Sequence, residues 1–443
     1  MSPERLKTNT KFNILLFIKE ESLGGFILIG ITIIALIWAN SGLHDSYHHI
    51  WHELMMGFKF GNFDITTSLH HWINDGLMAL FFFMIGLEIK REVLAGELSS
   101  MKKAGLPIAA AIGGMVVPAI VYVIFNYNTP QYLNGWGIPM ATDIAFALGL
   151  MAMLGKRVPV SLKIFLTALA IADDLGAILV IAIFYTESIN LMEIINAVFF
   201  LGVLYSANRL GVRSTIFYAL VGGIGVWTSF LFSGVHATIA GVLIAFTIPV
   251  RPKISEETFI QRLDSCLDVF RKTDSNDKSL LTQKQAHVIS SIGKHVEDAN
   301  TPLQKLEHAL HPVSVYFILP IFALSNAGVR IDGNIFKMLM HPISLGIMGG
   351  LIIGMFLGIT LFSRIIVKLK LASLPEGVSW QHVYGMAFLA GIGFTMSMFI
   401  SDLGFQDESY KEIAKVGVLA ASLIAGLLGV SLLRNAKSVG SRQ

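Results

Sequence analysis

The chain is built from apolar stretches of about 20 residues, the length a helix needs to cross the hydrocarbon of a bilayer. About twelve can be read: 22–41, 69–93, 105–126, 134–154, 160–185, 192–209, 215–231, 233–250, 311–328, 342–366, 380–402 and 412–433. Only 14% of the residues are charged, where a soluble domain carries roughly 25%. An all-α polytopic membrane protein is expected, a single transmembrane domain over 1–443. Lysine and arginine crowd alternate loops, among them Lys90, Arg91, Lys102 and Lys103, then Lys156, Arg157 and Lys163, then Arg209 and Arg213, whereas 127–133 has none. Positive charge marks the cytoplasmic side, so both termini are expected there. The N-terminus has no short apolar core ending in a small-residue cleavage site, and the first span is expected to direct insertion.

Two segments depart from this pattern. Residues 42–68 form an external connection with His44, His48, His49 and His52, read as a wet loop, then an alternating stretch about Gly61-Asn62 that predicts a short hairpin. Residues 251–305 hold most of the long polar sequence and predict a helical cytoplasmic insertion. The single cysteine, Cys266, allows no internal disulfide. No cofactor is expected, and a net charge of +3 gives no reason to expect nucleic acid.

Three acids lie in the middle of adjacent spans: Asp143 in the fourth, and Asp173 and Asp174 side by side in the fifth. A carboxylate at that depth costs a few kcal/mol or more, which marks a functional site. Helix neighbours point about 100° apart, so the doublet cannot share one face. The fourth span carries Gly135, Gly137 and Pro139 just before Thr142, and the eleventh carries Gly391 and Gly393 at mid-span. Two interrupted spans in corresponding places point to discontinuous helices flanking a midplane site. Asp143 beside one break is positioned to offset positive helix ends. Carboxylates and the Thr142 hydroxyl suit a hard cation such as Na⁺ or Li⁺. The same carboxylates can hold protons instead, and one site that takes either gives exchange.

These residues fall in motifs that run from about 70 to 402: Phe83-Met84-Ile85-Gly86-Leu87-Glu88-Ile89-Lys90-Arg91-Glu92, Ala141-Thr142-Asp143-Ile144-Ala145-Phe146-Ala147, Ala172-Asp173-Asp174-Leu175-Gly176-Ala177, Ser233-Gly234-Val235-His236-Ala237-Thr238, Glu307-His308-Ala309-Leu310-His311-Pro312, Ser325-Asn326-Ala327-Gly328-Val329 and Gly391-Ile392-Gly393-Phe394-Thr395-Met396-Ser397. In this the chain resembles the bacterial NhaA-type Na⁺/H⁺ antiporter family. The resemblance implies twelve helices with inverted repeats, the fourth and eleventh unwound and crossing. It implies cation and proton binding at Asp173 and Asp174, with Asp143 and Thr142 nearby, and a pH response set by Glu88, Arg91, Glu92, Glu307, His308 and His311, with His236 matching a further motif. It also implies a homodimer through the 42–68 hairpin, a bacterial inner-membrane location, and Na⁺ or Li⁺ export in exchange for protons, in Na⁺ and pH homeostasis. The family's tenth-span lysine, thought to pair with the first aspartate of the doublet, is replaced by Met355. Two rival readings are a Na⁺-coupled symporter of an organic anion on the same fold and an intramembrane aspartyl protease. The protease pattern Gly-x-Gly-Asp is missing, because Asp143 follows Ala-Thr and the doublet follows Ala172. A transporter rather than an enzyme is expected.

Overall fold

A computed structural model describes residues 23–57, 59, 60, 63–186, 189–273, 280–331 and 335–436. The chain is an all-α polytopic membrane protein. Its membrane helices are α1 (Leu23–Ala39), α2 (Leu69–Ala95), α3 (Met101–Asn126), α4 in two pieces (Pro130–Met140, α4a; Ile144–Met153, α4b), α5 (Val160–Phe184), α6 (Leu191–Arg209), α7 (Thr215–Ser233), α8 (Ala237–Thr247), α9 (Pro302–Asn326), α10 (Pro342–Lys368), α11 in two pieces (Trp380–Ala390, α11a; Phe394–Gly404, α11b) and α12 (Glu408–Asn435).

The helices gather in two bundles. In one, α3 packs between α5 and α10, and α12 packs on α10 and α11; in the other, α2 packs on α8 and α9, and α6 on α7. Backbone contact holds α3 to α10. A Cβ on Gly113 would strike the Gly358 carbonyl, and one on Gly358 the Gly113 carbonyl. Between the bundles runs a seam lined by α2 and α9 on one side and by α4, α5 and α11b on the other.

Two expected boundaries need correction. The span expected at 233–250 is a helix of only 11 residues, Ala237–Thr247. Gly234 takes a left-handed conformation (φ 82°) and ends α7. Ile248 precedes Pro249, which pushes it to extended backbone and ends α8. The span expected at 311–328 begins at Pro302, where the Thr301 side chain caps it by accepting from Gln304 N. Its first turns are polar, so hydropathy starts it too late, and Glu307, His308 and His311 stand on α9 itself.

At one end of the molecule, Met55–Met56 pairs with Thr67–Ser68 and Lys59–Phe60 with Phe63–Asp64, both antiparallel and in one register. The residues that would turn this hairpin, Gly61 and Asn62, lie outside the described residues. At the other end, Glu256–Lys272 and Gln283–Ala299 pack on each other. Lys253 Nζ donates to Asp298 at 3.0 Å, and this holds the Asp298 carboxyl below the usual carboxylate range. Of the histidine cluster, His48 and His49 are exposed on Glu53 at 3.2 and 2.8 Å. The His52 ring instead lies inward, 4.7 Å from that of His70.

Candidate functional site

Both broken helices bend at their breaks, α4 by 46° and α11 by 42°. The breaks meet. Asp143 N donates to Ile392 O at 2.7 Å, Thr142 Oγ1 to Ala390 O at 2.9 Å and Ser397 Oγ to Ile138 O at 2.7 Å. The unwound strand of α4 thus satisfies carbonyls at the break of α11, and Ser397 of α11b satisfies one in α4a, as hydrocarbon demands. Close approach explains the glycines, since a Cβ on Gly391 would run into the Leu351 carbonyl.

Asp143 ties the two helix starts together. Its Oδ1 accepts from Phe146 N at 3.1 Å, at the beginning of α4b. Its Oδ2 accepts from Thr395 N at 3.1 Å and Thr395 Oγ1 at 2.5 Å, at the beginning of α11b. One carboxylate therefore faces two positive helix ends, each worth about 0.3–1 kcal/mol at a surface and more when buried.

The doublet divides as helix geometry requires. Asp173 faces the break of α4, and its Oδ2 accepts from Thr142 N at 3.1 Å. Asp174 faces the seam, where it lines a cavity of about 40 Å³ with Glu88, Thr142, Asp143, Ser314 and Thr395. Both aspartates are buried, and Oδ1 of each has no hydrogen-bond partner. The ion pairs of the described residues lie elsewhere, and neither member of the doublet has a cation. The acids acting on Asp174 through space are Asp173, Glu88 and Asp143. Met355 is 1% exposed on α10, with its sulfur packed toward Gly114 of α3. A buried carboxylate oxygen without a donor is costly and is relieved by a proton or a small cation. The ligand atoms here are all oxygen, which suits a hard cation.

The residues expected to set pH response do not all meet. Arg91 Nη1 is 2.8 Å from Glu307 Oε1 and Nη2 is 2.9 Å from Glu92 Oε1, with Glu88 at 3.8 Å, so this cluster joins α2 to α9. His311 is buried one turn further along α9, while His308 is exposed. His236 lies at the hairpin end instead, with Nε2 2.9 Å from Tyr185 O beyond the end of α5. Lys90, read in the sequence as a basic loop residue, caps α8: its Nζ donates to Phe246 O and Ile248 O at 2.6 Å each, a favourable place for a cation. Asp402 and Lys415 were missed as well. They form a buried pair at 2.8 Å, and their signal was an acid at the end of one apolar run and a lysine near the start of the next.

Residues 16–433 match the family described as Na⁺/H⁺ antiporter 1. A Na⁺/H⁺ antiporter NhaA 1 of Psychromonas ingrahamii is 52% identical over 416 residues, covering 93% of this chain and 94% of its own. Antiporters named NhaA from Wolinella succinogenes and Helicobacter pylori are each 49% identical, covering 93% and 94% of this chain and 91% and 94% of their own. Crossed helix breaks, a buried aspartate doublet and matches over nearly the whole length agree: the chain belongs to the Na⁺/H⁺ antiporter 1 family.

Proposed function

We propose that this protein is a secondary antiporter that exports Na⁺, or Li⁺, in exchange for protons, with Asp173 and Asp174 as the shared binding carboxylates. The observation that carries the reading is the pair of buried carboxylate oxygens without a donor or cation, one of them on a cavity in the seam. Each must take a proton or a cation from solution, and the two compete for the same oxygens. Thr142 supports the site with its backbone donor to Asp173. Asp143 holds the crossed breaks in register and is a positioning group for the doublet.

The cavity lies on the Glu88 side of the doublet, toward the end that carries 251–305. With the orientation set by the basic loops, that end and both termini face the cytoplasm of a bacterial inner membrane. The Arg91 cluster, with Glu88, Glu92, Glu307, His308 and His311, then stands at the inner mouth and tunes access with pH. His236, beside Tyr185 at the hairpin end, stands apart from this cluster at the outer mouth. The hairpin at 55–68 is read as the contact between two copies in a homodimer.

With Met355 in place of lysine, Asp173 has no basic side chain with which to trade a proton. We take both carboxylates to release protons as the cation binds, which keeps exchange electrogenic. In proteoliposomes, Asp174→Asn abolishes Na⁺-driven proton flux while the protein remains folded. Flux at the wild-type rate in that variant overturns the assignment. A rate that ignores an imposed membrane potential overturns the electrogenic cycle.

A further inference from the structure

Two layers close the seam between the cation site and the hairpin end. The inner layer is apolar: the Phe399 ring of α11b packs against Phe82 of α2 and Phe322 of α9, with centroids 5.5 and 6.3 Å apart. One turn further along α11b stands Asp402, its side chain 6% exposed. Its Oδ1 is 2.8 Å from Lys415 Nζ of α12. The Asn74 amide of α2 donates to Asp402 Oδ2 at 3.2 Å and lies 3.1 Å from His70 Nε2. His70 Nε2 itself lies 3.5 Å from Asp402 Oδ2. Asn326 of α9 donates to Asn74 Oδ1 at 3.2 Å, Ser325 Oγ is 3.0 Å from His70 Nδ1, and the His52 ring lies tilted against the His70 ring.

The boundary between the bundles passes through this network at one place. Asp402 and Lys415 belong to the bundle of α11 and α12. Asn74, His70, Ser325 and Asn326 belong to the bundle of α2 and α9. If the bundles part at the hairpin end, Asp402 keeps its lysine, and only its contacts with Asn74 and His70 break. A buried charge stranded alone would forbid such an opening. A carboxylate that keeps its own cation permits it and turns the remaining bonds into a modest, reversible barrier.

We propose that Asn74 and His70 of α2, closing on the Asp402–Lys415 pair, are the outer latch of the transport cycle. They are positioning residues that weight the inward-facing state against the outward-facing one. The inference rests on the antiporter reading, which requires the site to open alternately to each end. A ligand-independent shift between two states changes apparent affinity at the two faces in opposite directions.

The test uses the full chain reconstituted in one orientation, with Na⁺ varied from each face in turn. Asn74→Ala lowers the KM for Na⁺ at the hairpin face and raises it at the other. The ratio of the two moves by on the order of tenfold, the loss of one hydrogen bond to a charged group. Asn74→Gln, which keeps an amide donor, restores part of the ratio. His70→Ala, read alongside in case Asn74→Ala does not insert, moves the ratio the same way by less. A fall in maximal rate with both KM values unmoved, or moving together, overturns the latch and leaves only a packing role. Wild-type protein without Na⁺-dependent flux instead overturns the antiporter reading.

Discussion

Asp174 and Asp402 are both carboxylates buried in membrane helices, and the protein provides for them in opposite ways. Asp402 has Lys415 at 2.8 Å and the Asn74 amide at 3.2 Å. Asp174 has acids for electrostatic neighbours and, among the described residues, no cation within ion-pairing distance. Burial alone therefore does not mark an exchange site. A carboxylate whose counter-charge belongs to the protein is part of the structure. A carboxylate whose counter-charge must come from solution can trade one ion for another. The cavity follows the same division, reaching Asp174 and not Asp402.

Stability separates the two most strongly. Asp402→Ala leaves Lys415 buried without its partner and costs about 3–5 kcal/mol. Replacing both, as Asp402→Ala with Lys415→Met, recovers most of that loss. Asp174→Ala removes a buried acceptor that has no donor and leaves stability unchanged or raised. Thermal unfolding of the variants in detergent checks all three, and equal losses at Asp174 and Asp402 break the comparison. Next in size is the pH response. Glu307→Gln removes the charge that holds Arg91 at 2.8 Å. It shifts the pH of half-maximal exchange while the maximal rate survives, because the doublet is untouched. A pH profile identical to wild type, in proton-flux assays across pH, reduces the cluster to a solvated ion pair. The smallest effect is expected from Met355→Lys, which would make the doublet more like Asp402. A cation near a carboxylate favours its ionised form, so protons leave at lower pH. Transport then begins at lower pH, and an unchanged or higher onset shows that position 355 does not act on Asp173.

The acids and the breaks were legible in the sequence because both are local. An aspartate in an apolar run, or glycine and proline at mid-span, needs no knowledge of neighbours. What those residues do to one another was less legible. Nothing in the sequence states that Asp143 accepts from two helix starts 252 positions apart in one case and only three in the other. The expected span 380–402 stops at Asp402 itself and Lys415 falls just inside the expected span 412–433, so each residue is visible alone but their pairing across α11 and α12 is not. The short α8 was readable in part, because Gly234 and Pro249 are both breakers that hydropathy outweighed.

Calorimetric titration of the purified protein with Na⁺, in buffers of different ionisation enthalpy, tests the shared site most directly, because it counts protons released as the cation binds. At a pH where the doublet is protonated, wild-type protein should release a proton from each carboxylate as Na⁺ binds. Asp174→Asn should show neither binding nor release. Na⁺ binding to wild type with no proton release would contradict a site that holds either ion but not both.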